Sequence, residues 1–236
     1  MLFGGVNCVA QTKNELSVYG GFIQLKEELN QSMVYNGPQL GLHYGRNWFF
    51  EKWELRYKPK LALGIPFNRS MEAINIRFVP VDFSGLIPVY QTDERCFRVG
   101  LNFGADYNYQ AYPEQQSAHL FWYGEIGIAP CFEYEYQWNE RKIKLFLQNS
   151  LAGFVSRTEY FNDYFYSFKL ADFFTNPHQN MQFGSFDKYE HSKAAIEYFP
   201  DNSKNNSFTL GFEYIDSHFG KRFQSLNYYL QWKKSF

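Results

Sequence analysis

Arg95 to Gln110 read RCFRVGLNFGADYNYQ, and side-chain character changes at every step. Phe97, Val99, Leu101, Phe103, Ala105, Tyr107 and Tyr109 fall on one side. Cys96, Arg98, Gly100, Asn102, Gly104, Asp106 and Asn108 fall on the other. A period of two marks an extended strand with one apolar and one polar face. At the strand rise, ~14 alternating residues cover roughly 45 Å. That exceeds an ordinary strand of about 5–6 residues and suits a tilted strand that crosses a bilayer and projects beyond it.

The same alternation returns along the chain and places strands at roughly 14–25, 38–46, 48–63, 72–90, 95–110, 118–137, 142–156, 185–199, 206–217 and 222–236. The count is ten; eight or twelve strands remain open. The expected joins after the second, fourth, sixth and eighth strands are short: Gly45 to Trp48, Gln91 to Glu94, Trp138 to Arg141 and Pro200 to Asn205. The others are mostly longer, the longest running from about Arg157 to Gly184. Short turns on one side and longer loops on the other describe an antiparallel up-and-down β-barrel. Pro59, Pro80, Pro88 and Pro130 fall inside these strands, where each removes a ladder donor. Face parity breaks near Pro80, so a bulge is expected there.

Composition decides between a membrane barrel and a soluble β-sandwich. Aromatic residues make up 21% of the chain, with 26 Phe, 19 Tyr and 5 Trp, yet mean hydropathy is −0.47. One soluble core would struggle to hold so many rings. A barrel in a bilayer turns them outward and keeps polar residues inside. The net charge of −1 gives no electrostatic pull toward nucleic acid. No apolar run of ~18 residues occurs, so a span must be made of strands. The opening MLFGGVNCVAQ is apolar and ends in Val9 and Ala10. It reads as the tail of a secretory signal peptide, giving a segment 1–10 and a barrel domain 11–236. Asn7 before Cys8 argues against lipid attachment at that cysteine.

The chain ends LNYYLQWKKSF, with Tyr228, Leu230, Trp232 and Phe236 on one side. This stretch resembles the closing strand of bacterial outer-membrane β-barrel proteins, and the aromatic-rich style is similar to barrels from Bacteroidota. The resemblance implies a Gram-negative outer membrane with both termini periplasmic. It also implies contact with membrane lipid and lipopolysaccharide, and a terminal signal read by the barrel-assembly machinery.

Four groups of residues are candidates for function. Lys52, Glu54, Arg56, Arg77, Arg98, Glu125, Glu133 and Glu213 fall on inward faces. A lumen this narrow forces such charges to pair, which describes a plug rather than a channel. Cys96 and Cys131 face each other if the turn between their strands centres on Pro113, and an oxidising envelope would allow a disulfide. Two buried free thiols are the other reading. The longest connection holds Tyr160, Phe161, Tyr164, Phe165, Tyr166, Phe168, Phe173 and Phe174. These rings either form a docking patch for another envelope protein, a surface glycan or lipopolysaccharide, or pack on the barrel rim.

An enzymatic reading rests on Asp216 and His218, which resemble the Asp-x-His pair of omptin proteases, with Asp106 as a distant acidic partner. The His-x-Ser of lipid A deacylases is missing, since Ser192 follows His191 directly and faces the other way. The five histidines lack ligand spacing, so no metal or other cofactor is expected. The leading expectation is a non-enzymatic outer-membrane barrel with a plugged lumen. It would serve as an accessory or structural subunit of an envelope complex, or as a surface binding protein. A barrel hydrolase is the alternative, and a small pore comes third.

Overall fold

The structure is a computed structural model that describes residues 11–30, 32–69, 71–113, 119–158, 171–200 and 205–236. Ten antiparallel strands close into one barrel. They are β1 (Gln11–Glu27), β2 (Val34–Phe49), β3 (Glu54–Tyr57 and Lys60–Gly64), β4 (Ile74–Gln91) and β5 (Arg95–Tyr112). The second half comprises β6 (His119–Trp138), β7 (Arg141–Asn149 and Ala152–Arg157), β8 (Tyr189–Phe199), β9 (Asn206–Phe219) and β10 (Lys221–Ser235). Each strand pairs with its chain neighbours, and β1 closes the ring on β10 from Glu15 opposite Ser235 to Glu27 opposite Phe223. The seam reaches the last residue. Phe236 N–H donates to Asn14 O at 2.9 Å, and Asn14 N–H donates back to Phe236 O at 3.1 Å.

Both described chain ends and the three short turns at 50–53, 92–94 and 139–140 lie at one end of the barrel, called here the terminal end. The opposite, distal end carries most of the longer connections and the tight turn at Gly220, whose φ of 73° is readily adopted without a Cβ. Among the described residues no helix is long and apolar enough to cross a membrane.

The wall is inverted relative to a water-soluble protein. Leu40, Leu210 and Leu230 are 68%, 61% and 61% exposed, while Arg77 inside is 1% exposed. Outward aliphatic residues meet across strand after strand: Leu42 opposite Leu61, Leu40 opposite Leu63, Leu63 opposite Ile76, Leu145 opposite Ile196, Ile196 opposite Leu210, Leu210 opposite Leu230. A continuous apolar belt costs free energy in water and none in hydrocarbon. The fold is a transmembrane β-barrel. Tyr228, Leu230, Trp232 and Phe236 all belong to its exposed outer surface.

Irregularities fall where prolines remove donors. The bulge expected near Pro80 lies between Phe78 and Val81. Asn75, Arg77 and Val79 are buried before it, and Asp82, Ser84 and Leu86 line the interior after it. Pro59 splits β3 without changing its faces.

Two expectations need correction. The turn between β2 and β3 is Phe50–Trp53, closed by Phe50 N–H to Trp53 O at 2.9 Å, and not Gly45–Trp48. Alternation continues through Arg46 and Trp48, so β2 runs on to Phe49, and Lys52 sits exposed in the turn, outside the lumen. The β5–β6 register also differs by four residues. Cys96 faces Glu135, Cys131 faces Gly100, and both cysteines are free and buried. Four residues correspond to ~13 Å along a strand, well beyond disulfide reach.

Candidate functional site: the charged lumen

Strand parity sends a polar residue inward at every second position, so ten walls fill one narrow space with charge. The charges sort into two layers. In the terminal layer the Arg56 guanidinium forks between two carboxylates. Its Nε donates to Glu54 Oε1 at 2.7 Å and its Nη2 to Glu133 Oε1 at 2.9 Å. Arg98 donates to the same Glu133 at 2.6 Å and to Glu135 at 3.2 Å. Lys144 approaches Glu135 at 3.3 Å, and Lys233 bridges Glu15 and Glu197.

Arg77 anchors the second layer, near mid-barrel. Its Nε donates to Asp106 Oδ1 at 2.9 Å, while Nη1 and Nη2 donate to Glu213 at 2.6 and 2.7 Å. Glu213 also receives Lys60 at 2.9 Å and His191 Nε2 at 2.8 Å. The other His191 nitrogen, Nδ1, meets Glu125, whose second oxygen accepts the Tyr123 hydroxyl at 2.5 Å. An imidazole bonded to a carboxylate at both nitrogens holds one more proton than its neutral form supplies, unless a carboxyl carries it. The backbone of His191 is held as well. Where β7 breaks at Ser150, the Ser150 hydroxyl accepts His191 N–H at 2.8 Å, and Ser150 N–H donates to His191 O at 2.9 Å.

Above this layer the lumen turns apolar. Ile23, Leu25, Tyr35, Tyr112, Phe121, Tyr123, Ile215, Phe219 and Phe223 form one buried cluster across the distal half. Tyr112 meets Tyr35 edge-on at 5.0 Å, and Tyr123 stacks on Phe223 at 4.7 Å. Such packing lays buried rings across the bore. Between the layers a cavity of about 150 Å³ remains, reached by Lys58, Lys144 and Lys233 below and by Arg77, Lys60 and Glu213 above.

Glu54, Arg56, Arg77, Arg98, Glu125, Glu133 and Glu213 therefore all lie inside, and Lys52 does not. The lumen network expected from sequence did not include Glu15, Lys60, Asp82, His191, Lys193 and Glu197. For the β8 residues the signal was present, since His191, Lys193 and Glu197 share one parity in that strand.

The residues named for a hydrolase are not assembled. Asp106 is buried in the lumen against Arg77. Asp216 and His218 take the opposite parity to inward Glu213 and Ser217, on the outer wall. There Arg222 donates to Asp216 at 2.6 Å, Tyr214 at 2.9 Å, and His218 stands at 3.2 Å. Tyr160, Phe161, Tyr164, Phe165, Tyr166 and Phe168 lie outside the described residues. Of Phe173 and Phe174 only the backbone is described, in the short helix Asp172–Thr175.

Donor atoms of Asp106, Glu125 and His191 come within 4.8 Å of one another, a grouping that could hold a cation. Arg77 and Tyr123 already occupy these carboxylates, and a metal ion would have to displace both.

No protein-family model matches this sequence, and no curated protein matches it. Among solved structures the chain is similar to the outer membrane protease OmpT of Escherichia coli, with a TM-score of 0.51, 8% identity and 98% of each chain covered. It is also similar to the translocator domain of autotransporter NalP from Neisseria meningitidis, with a TM-score of 0.48, 8% identity, and 96% and 89% covered. Ail, the attachment invasion locus protein of Yersinia pestis, gives 0.39 at 10% identity, with 96% and 99% covered. At such identities the likeness to OmpT is one of fold. The architecture is that of the bacterial outer-membrane β-barrels.

Proposed function

We propose that this protein is a closed-lumen barrel of the Gram-negative outer membrane that acts by binding. It would be an accessory or structural subunit of an envelope complex, or a surface binding protein, with its termini in the periplasm and its distal connections outside. The observation that carries this reading is the stacking of the aromatic cluster around Tyr112, Tyr123 and Phe223 directly over the Arg77 network. A bore filled first with paired charge and then with packed rings offers a solute no path, which argues against a pore. The same rings cover His191 from the distal side, and Asp216 and His218 line neither the cavity between the charge layers nor the smaller one beside Asp106 and His191, which argues against a hydrolase built on them. What a closed barrel can still present is its outer wall and its rims. On the distal connection Phe183 and Phe186 are each 62% exposed, large rings of the kind that anchor protein contacts.

The test is affinity purification of the tagged protein from native membranes in mild detergent, followed by mass spectrometry of intact complexes. A stoichiometric envelope partner is the expected result. A lone barrel that cleaves basic peptides, with cleavage lost in Asp216→Ala, would replace this reading by the hydrolase.

A further inference from the structure

We propose that the outer wall of β7 and β8 is a docking face for the membrane-spanning wall of a second envelope protein, one that brings a lysine or arginine to Glu190. The inference rests on the accessory-subunit reading and names the face by which the subunit is held. The apolar belt is interrupted there. Along the outer side of β7 the exposed residues are Leu145, Leu147, Asn149, Leu151 and Phe154, so one amide stands in a row of hydrocarbon. On β6 the row is flanked by exposed Phe132, opposite Leu147, and exposed Ile128, whose carbonyl accepts the N–H of Leu151 at 2.9 Å. On β8 the residue opposite Asn149 is Ser192, and Glu190 follows on the same side toward the distal end.

These three polar groups satisfy one another incompletely. The Ser192 hydroxyl lies 3.3 Å from Asn149 Oδ1 and 2.8 Å from Glu190 Oε1, and its single proton serves one of them at a time. Among the described residues the Asn149 NH2 finds no acceptor, and Glu190 has no cation within ion-pair distance. Lys188, two residues earlier in the chain, does not reach it. Asp216, opposite Glu190 on β9, holds Arg222 at 2.6 Å, so that guanidinium is already engaged. Hydrocarbon offers neither donor nor acceptor, and an amide and a carboxylate left in this state cost free energy that a protein surface of matching polarity recovers.

Charge selects the occupant. A lipid phosphate would add negative charge beside Glu190. A second copy of this chain, related by a two-fold axis along the membrane normal, would set Glu190 at the depth of Glu190, carboxylate against carboxylate. A wall of different sequence fits: apolar over Leu145, Leu147 and Leu151, basic at the depth of Glu190, with an acceptor at that of Asn149. Ala194, outward between Leu147 and Phe212, is small enough to let such a wall approach. The same face continues to the distal rim, where Phe154 and Phe183 meet at 5.6 Å and Phe186 is exposed in the next turn. On β5 and β6 the chain covers its own wall instead, with Pro177 seated on Gly124 and the Tyr107 hydroxyl 3.2 Å from His178 Nε2.

Photo-crosslinking of the full-length protein in native membranes tests this. Benzoyl-phenylalanine replaces Leu147 beside the polar group or, as the control, Leu42 on β2 across the barrel. The expected result is one protein adduct of fixed mass from position 147 and at least tenfold less from position 42. Glu190→Lys should cut the adduct at least tenfold, and reversing the charge of the captured partner's basic residue should restore it. Every variant should still shift on a gel when boiled, so that loss of folding is recognised. In vesicles of purified lipid, where no partner is present, Asn149→Leu should unfold at no lower urea concentration than the parent. A lower midpoint would make the amide part of the fold and overturn the proposal. So would equal adducts from both positions, an adduct of twice the barrel's mass, adducts with lipid alone, or indifference to Glu190→Lys. A stoichiometric partner that crosslinks only through position 42 would sink this face and leave the accessory-subunit reading standing; absence of any partner would sink both.

Discussion

Tyr19 lies across Gly41 of the neighbouring strand, so closely that a Cβ on Gly41 would fall 2.2 Å from the ring. Tyr229 covers Gly211 in the same way at 2.1 Å, and the two tyrosine rings stand 5.5 Å apart. Each glycine is a recess for a ring that would otherwise project into the cavity between the charge layers. Gly41→Ala should push Tyr19 off its seat and cost about 1–3 kcal/mol, the usual range for overpacking. Urea unfolding in vesicles measures this. A variant as stable as the parent would show that the ring has somewhere else to go.

Arg77 is shared by Asp106 and Glu213, and removing it leaves two buried carboxylates without their main counter-ion. Arg77→Met should destabilise by about 3–5 kcal/mol, the range for breaking a buried pair from one side. Combining it with Asp106→Asn should restore part of that loss, because Asp106 then carries no bare charge while Glu213 keeps Lys60 and Lys193. If the double variant is worse than the single one, Asp106 contributes through attractions other than the one to Arg77.

Cys96 and Cys131 are four residues out of register and should remain thiols even in an oxidising envelope. In a Cys8→Ser background, unfolded without reductant, the chain should yield two reactive thiols. Finding none would mean that β5 and β6 pair in the other register.

These residues also mark how far the sequence can be read. Ten strands are legible because parity is local: each strand announces its own two faces, and the bulge at Pro80 shows as a break in them. Gly45 and Asn47 look like turn residues, yet unbroken alternation through Trp48 carries β2 on to Phe49. Register between strands is not local. It depends on loop geometry, so the offset between Cys96 and Cys131 leaves no mark in either strand. Pairing across the bore is more remote still. That Arg56 of β3 meets Glu133 of β6, or that His191 sits between Glu125 and Glu213, follows only once all ten registers are set.

Glu28, in the distal connection after β1, accepts the backbone N–H of Arg222 at 2.5 Å. That hydrogen bond holds its carboxyl below the ordinary 4.5. A depressed folded-state value means that the clamp is fully present above 4.5 and is lost as pH falls through the lower folded value. The Arg222 amide resonance should therefore titrate with a midpoint below 4.5, and Glu28→Gln should abolish that titration. A midpoint at or above 4.5 would remove the clamp.

The outer belt gives the sharpest contrast between solvents. Leu210 points outward between Ile196 and Leu230, which are 49% and 61% exposed, and the three stand three to five residues inside the terminal ends of their strands. In a bilayer an arginine there loses hydration that no lipid tail replaces, at a cost of about 2–4 kcal/mol near the midplane. On a water-soluble sandwich the same outward position would accept arginine at no cost and gain solubility. Leu210→Arg should therefore destabilise the vesicle-embedded protein by that amount, while Phe67→Arg, in the connection between β3 and β4, should change stability little. Equal tolerance at both positions would mean that the belt does not face hydrocarbon, and the polar interior would then need another explanation.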